Sequence, residues 1–510
     1  MSIRSGVIAL LVSGGAVASL AVFTACSSSN NNDTSNNTPP APPPAGDDGG
    51  PGSDGGGDAS DGGMVDLPKP VLCPEANPFS PKNPNSVLVN DVVLQADTTW
   101  TADKVYLIGD DFKVEGHTLT VEAGTTICLY QKGKIFVGEG VDPGEIHLNG
   151  TAAKPIVITA TPSSMDATKP DVFHGGIAFD TYQGSTISYV NIWYGGPGGG
   201  GASWAFELTD TAHGTPDATK PLLVDHLTVG AVQSKGVHVG TPLGVADGSK
   251  IRFTGFVTPD ASGPALDATA RVNIIAAKSF AKAFDITGAP IPDGAKHVLL
   301  DPDTADGKVD VDADLVDFGL PYLYPNHAFL EVSGMQDDPI GPTLTIHEGV
   351  TLAMDGALVV GGQQGNANGN LIVAGTAAKP VTFTSTAATP AAGDWAGFYW
   401  IGGHYDVAKS KIDNAKILYA GDDASDPLNV TYHTGRCGSF DVGAVMLANG
   451  SLAPWDGVPI SNTLIAHSKS NGITSDANDT GGYCKTNYAK PDITFMDVAT
   501  SPLAQNGACP

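Results

Sequence analysis

The chain repeats itself, and that constrains its fold more than any other feature. Thr118-Leu119-Thr120-Val121 returns as Thr343-Leu344-Thr345-Ile346 at a spacing of 225 residues. Gly150-Thr151-Ala152-Ala153-Lys154-Pro155 returns as Gly375-Thr376-Ala377-Ala378-Lys379-Pro380 at the same spacing. Between these anchors, residues 118–155 align with 343–380 without a gap, with 13 identities in 38 positions. The offset persists where Ser185, Ile187, Ile192 and Tyr194 meet Ser410, Ile412, Ile417 and Tyr419. Such a repeat describes a body of two related halves, 69–300 and 301–510, in which units are laid side by side.

Within each half the local pattern is β. Ile156-Val157-Ile158-Thr159 and Val381-Thr382-Phe383-Thr384 are short, apolar and β-branched, and each follows a proline that ends the preceding turn. Extended runs return roughly every ten residues, separated by Gly, Asn, Asp and Pro. No long stretch of helical periodicity follows the first 26 residues. A pair of β-sandwiches or a parallel β-solenoid fits this pattern, and the short runs without two-residue hairpin turns favour the solenoid. A solenoid with about 4.8 Å of rise per coil would make the body a rod of about 70–90 Å.

The N-terminus reads as an export signal. Arg4 gives a positive start, Gly6 to Phe23 is apolar or small, and Thr24-Ala25-Cys26 follows. The Ala25-Cys26 step resembles a bacterial lipobox. That resemblance implies that residues 1–25 are removed and that Cys26 is acylated, and Ser27 after it implies the outer membrane. Residues 26–68 then read as a tether of Ser, Asn, Pro, Gly and Asp. This stretch has too little apolar area to fold, and its seven Asp with no Lys or Arg extend it.

The order Trp100, Leu119-Thr120-Val121-Glu122-Ala123-Gly124, Gly150-Thr151-Ala152-Ala153-Lys154-Pro155-Ile156-Val157 resembles right-handed parallel β-helix proteins of bacterial envelopes. Gly393-Asp394-Trp395-Ala396-Gly397-Phe398 resembles the next coil of that pattern, although the first half places His174 where the second has Trp395. The resemblance implies an all-β fold and a lipid-anchored envelope location. It implies no particular activity.

Fifty-four acidic residues against 26 Lys plus Arg give a net charge of −28, which argues against nucleic acid, whose phosphates demand clustered cations. The same charge slows encounter with a polyanionic chain, and a uronate lyase would have to rely on Arg252, Arg271 and Arg436. Besides Cys26, the cysteines are Cys73, Cys128, Cys437, Cys484 and Cys509, with no metal-ligand spacing. In a disulfide-permissive compartment Cys73–Cys128 is expected to fix the first coils. Cys484–Cys509 or Cys437–Cys484 would staple the C-terminal end.

Candidate chemistry is sparse. Asp301, Asp303, Asp306 and Gly307 resemble a calcium loop, although the spacing is wrong for an EF-hand. Asp310, Asp312 and Asp314 alternate with Val309, Val311, Ala313 and Leu315, so a strand would put these carboxylates on one face, with Asp310 and Asp312 as further candidate ligands. Calcium is the one cofactor such a set points to, and a solvated acidic strand is the other reading. Trp193, Trp395 and Trp400 are candidates for stacking on sugar rings; strand alternation equally allows Phe398 and Trp400 to face inward. No nucleophile elbow and no His-Glu-x-x-His is present. These readings lead to an envelope lipoprotein whose partners are the membrane, through its anchor, and polysaccharide or envelope proteins. Its expected role is structural or adhesive, and a polysaccharide lyase or glycoside hydrolase on the same scaffold is the alternative.

Overall fold

The computed structural model describes residues 67–75, 81–130, 133–138, 142–163, 165, 168–182, 184–196, 204–209, 221–257, 268–292, 296–301, 307–324, 329–335, 340–361, 367–401, 408–422, 443–448, 459–475 and 491–498. The described body is a parallel β-helix. One coil runs through Thr118–Glu122, Thr126–Leu129 and Lys134–Val137, and the next through Glu145–Asn149, Ile156–Ala160 and Gly176–Phe179. Each strand pairs in parallel with its counterpart one coil on: Leu119 opposite Ile146, Ile127 opposite Ile158, Ile135 opposite Ile177. Alternation along each strand sends Leu119, Val121, Ile127, Leu129, Ile135 and Val137 inward, all fully buried. Stacking then joins these layers into one continuous apolar core.

The repeated hexapeptide has a steric explanation. Thr151 Oγ and Thr376 Oγ accept the N–H groups of Lys154 and Lys379, each at 3.1 Å, closing equivalent turns. The glycine before each turn lies against the corner of the following coil. A Cβ on Gly150 would sit 2.3 Å from the Tyr189 carbonyl oxygen, and one on Gly375 would sit 2.1 Å from that of Asn414. Tyr189 and Asn414 are themselves corner residues at φ +45° and +52°, and His226 and Asn462 repeat that corner one coil later at +58° and +47°. Asn tolerates this left-handed region well, because its short amide bonds locally.

The two halves share one sheet but not one orientation. A 13-stranded sheet runs from Phe112–Val114 through Lys134–Val137 and Val298–Asp301 to Tyr322–Tyr324, Thr351–Met354 and Ile493–Met496. Thr351–Met354 is the repeat of Thr126–Leu129, yet Thr126–Leu129 belongs to the 11-stranded sheet on a different face. The second half is therefore turned by one face about the helix axis. The change falls where the short helix Ala277–Ala283 interrupts the coil and the two new sheets begin at Lys308–Val309 and Ala313–Leu315. Phe280 anchors that helix, with its ring 4.7 Å from Phe284 and 5.8 Å from Phe318.

Cys73 and Cys128 form a disulfide. The segment around Cys73 lies against the outside of the sheet: its N–H donates to the Ala160 carbonyl at 3.0 Å, and Thr159 Oγ donates to the Val71 carbonyl at 2.5 Å. Cys73, Leu107 and Cys128 make a small apolar cluster separate from the main core, flanked by Leu88 and Val105. Cys437, Cys484 and Cys509 lie outside the described residues.

Candidate functional site

The candidate stacking residues do not face solvent. Trp193, Trp395 and Trp400 are each at most 1% exposed, so no ring face is open to a sugar. Phe398 and Trp400 point into the coil stack with rings 5.7 Å apart, as strand alternation allows. Trp193 lies over Gly230, where a Cβ would meet its ring at 2.7 Å. Tyr399, which faces outward between Phe398 and Trp400, is also buried, in a second apolar cluster with Ala357, Val359 and Ala396. Alternation alone gave no sign of that outer layer.

The acidic run does not form one carboxylate face either. Lys308–Val309 and Ala313–Leu315 belong to different sheets, and the chain turns between them with Val311 49% exposed. Asp310 and Asp312 are exposed at this corner, and Asp312 accepts the Thr343 N–H at 2.8 Å. Asp303, Asp306 and the side chain of Asp301 lie outside the described residues. Among the described residues no group of three or more His, Cys, Asp or Glu is placed to hold a metal ion. Asp314, from the same run, instead pairs with Lys278 at 2.7 Å and His347 at 2.6 Å.

The most enclosed charged cluster is one that sequence reading missed. It sits on the outer side of the 13-stranded sheet, where register places Ala178 opposite Glu207 and Glu207 opposite His238, with Arg271 next in the row. Lys134, two coils before Glu207, reaches its carboxylate at 2.6 Å, and His238 Nδ1 lies 3.2 Å from the other oxygen. The three side chains are only 10–13% exposed. Aromatic rings wall the cluster: Lys134 lies over Phe136, and Trp204 packs against both His238 and Lys235. Strand spacing in sequence is irregular here, so nothing short of the register could bring residues 134, 207 and 238 together.

The electrostatics of these clusters are one-sided. Burial pushes the Glu207 carboxyl up, but His238 and Lys134 more than offset it and hold it below the ordinary carboxylate range. Asp314 is likewise held low by His347 and Lys278 against the effect of burial. Both are anions at neutral pH, whereas a general acid for glycoside cleavage needs a carboxyl kept protonated. Of the three arginines, Arg252 contacts Asp285 at 3.9 Å, Arg271 lies beside His238 in register, and Arg436 is outside the described residues.

A second polar feature follows the corner of the coils. Ser188 Oγ donates to Asp225 at 3.1 Å, and His226 bridges Asp225 at 2.5 Å and Lys250 at 3.3 Å. The Tyr189 and His226 rings stack with centroids 4.3 Å apart. In the second half Asp413 accepts Ser461 Oγ at 2.9 Å and the amides of Asn414 and Asn462, each at 3.0 Å. Ser188 and Asp413 are repeat equivalents, so the hydroxyl–carboxylate pair is kept with its members exchanged.

His174 is fully buried, and desolvation lowers its pKa to about 4. The Gly176 N–H donates to Nδ1 at 2.9 Å, so Nδ1 carries no proton and Nε2 donates to the Trp193 carbonyl at 2.7 Å. In this neutral imidazole both ring nitrogens are engaged by backbone groups, so neither is open to a substrate.

These features define the class: a parallel β-helix whose described residues place ion pairs on the outer faces and pack Trp193, Trp395 and Trp400 away from solvent. Residues 332–430 match the pectate-lyase-like beta helix domain family, and the chain is similar to that family over this stretch. Compared with curated proteins and with solved structures, the chain matches none.

Proposed function

We propose that the chain is an exported, lipid-anchored envelope protein that presents a rigid β-helix, with a structural or adhesive role toward glycans or surface proteins. One observation carries the non-catalytic side of this reading. The carboxylates gathered on the outer faces, Glu207 and Asp314, are held ionised by lysine and histidine partners. Such groups fix a surface; they do not donate protons. The expected anchor is the acylated Cys26. With so acidic a chain, a neutral polysaccharide suits the surface better than an anionic one.

The test incubates residues 69–510 with neutral and uronic polysaccharides, with and without calcium, and follows chain shortening, unsaturated products and retention on immobilised glycan. Retention without cleavage supports the reading. Cleavage that survives stringent purification replaces it with the second reading, a carbohydrate-active enzyme, which the similarity of residues 332–430 to pectate-lyase-like helices favours. Anchoring is tested separately, by incorporation of a labelled fatty acid that is lost in Cys26→Ser.

A further inference from the structure

The segment around Cys73 is attached to the side of the β-helix, not to its end. Among the described residues the first strand, Ser86–Val89, is an edge that pairs only with Val105–Ile108. Cys73, thirteen residues earlier in the chain, passes this edge and bonds covalently to Cys128. Cys128 sits in Thr126–Leu129, which is hydrogen-bonded on both sides, to Val105–Ile108 and to Ile156–Ala160. The segment also bonds one coil further on, through Cys73 N–H to Ala160 and Thr159 Oγ to Val71. Glu75 pins the return of the chain, accepting the N–H groups of Lys82 at 3.1 Å and Asn83 at 2.7 Å and the Ser86 hydroxyl at 2.9 Å.

We infer that this strap is a load-bearing clamp: tension on the chain N-terminal to Val71 enters the β-helix at Cys128 and bypasses the edge strand. Without the clamp, the same pull would peel Ser86–Val89 from Val105–Ile108 one backbone bond after another. With it, the covalent bond carries the force into a strand held on both sides, and residues 74–127 form a closed loop that cannot extend. The physiological use of the clamp rests on the tethered reading above. The mechanics do not, because they belong to the folded chain itself.

The experiment is single-molecule force spectroscopy on the full chain after residue 26, with Cys437, Cys484 and Cys509 replaced by Ser so that reductant can open only the Cys73–Cys128 bond, pulled from its two ends with and without reductant. The oxidised protein is expected to show no early peeling event. Its total released length should fall short of that of the reduced protein by about 180–200 Å, the fully extended span of the 55-residue sequence separation of the two cysteines. Reduction should restore that length and add a first rupture at lower force. Cys73→Ser should reproduce the reduced trace, and if that variant folds poorly, reductant on the chain that keeps Cys73 gives the same reading. Equal lengths in both conditions would remove the covalent loop. A full length difference with an unchanged first rupture force would overturn the clamp while keeping the bond. Neither result bears on fatty-acid incorporation at Cys26, so the two ideas fail separately.

Discussion

His174 and Trp395 do the same work in the two halves of the helix. His174 Nε2 donates to the Trp193 carbonyl at 2.7 Å, Trp395 Nε1 donates to the Leu418 carbonyl at 2.8 Å, and Trp193 and Leu418 are repeat equivalents. The side chains differ in size and chemistry, but each satisfies the backbone at the same corner. Only the histidine titrates, so only the first half pays a pH penalty there. Between its ordinary pKa of 6.5 and its folded value of about 4 the unfolded chain binds more protons, so stability falls as pH drops through this window. The loss reaches about 3 kcal/mol once both states are protonated. Gln at this position can make both bonds without titrating. Urea unfolding at pH 7, 5.5 and 4.5 should therefore show a shallower pH dependence for His174→Gln than for the native chain, and parallel curves would refute the assignment.

Glu207 joins strands that are distant in sequence, and removing its charge strands Lys134 in an enclosed site. Glu207→Gln should cost about 3 kcal/mol, whereas replacing Lys134 and Glu207 together with Met should cost less than either single change. The Glu207 carboxyl is held low, so its contribution is present above its ordinary value of 4.5 and is lost as pH falls through the folded value. Chemical denaturation of the single and double variants decides this. Additive losses would mean that the pair is not coupled.

The exchanged pair at the corner offers a direct swap. Asp413→Ser removes an acceptor for three donors and should cost about 2 kcal/mol. Asp413→Ser with Ser461→Asp recreates the order found at Ser188 and Asp225, and should recover part of that loss. A double variant no more stable than Asp413→Ser alone would show that the order of the pair matters and not the pair itself.

Glycine at the repeated turn is a steric requirement. Gly375→Ala drives a methyl group into the Asn414 carbonyl and should cost about 1–3 kcal/mol, with Gly150→Ala behaving alike against Tyr189. Thermal unfolding of both variants should show comparable losses. If either is neutral, the close approach at that turn is not what holds the glycine.

The duplication, the β pattern and the disulfide partner of Cys73 were legible in the sequence, because each depends on local order or on repetition along the chain. Leu119 and Val121 alternate with Thr118, Thr120 and Glu122, and period-two alternation needs no knowledge of neighbouring coils. The helix Ala277–Ala283 was too short for its periodicity to register, although Ala277, Phe280 and Ala283 share its buried side. Of the two readings of Phe398 and Trp400, the inward one is what the structure shows; composition alone says nothing about which side of a strand is covered. Whether Asp310, Asp312 and Asp314 share a face depended on a turn at Val311 that an alternating sequence conceals. The cluster of Lys134, Glu207 and His238, and the rotation of one half by a face, were decided by the tertiary structure alone. Both arise from which strand stacks on which, and loops of unequal length between strands erase that register from the sequence.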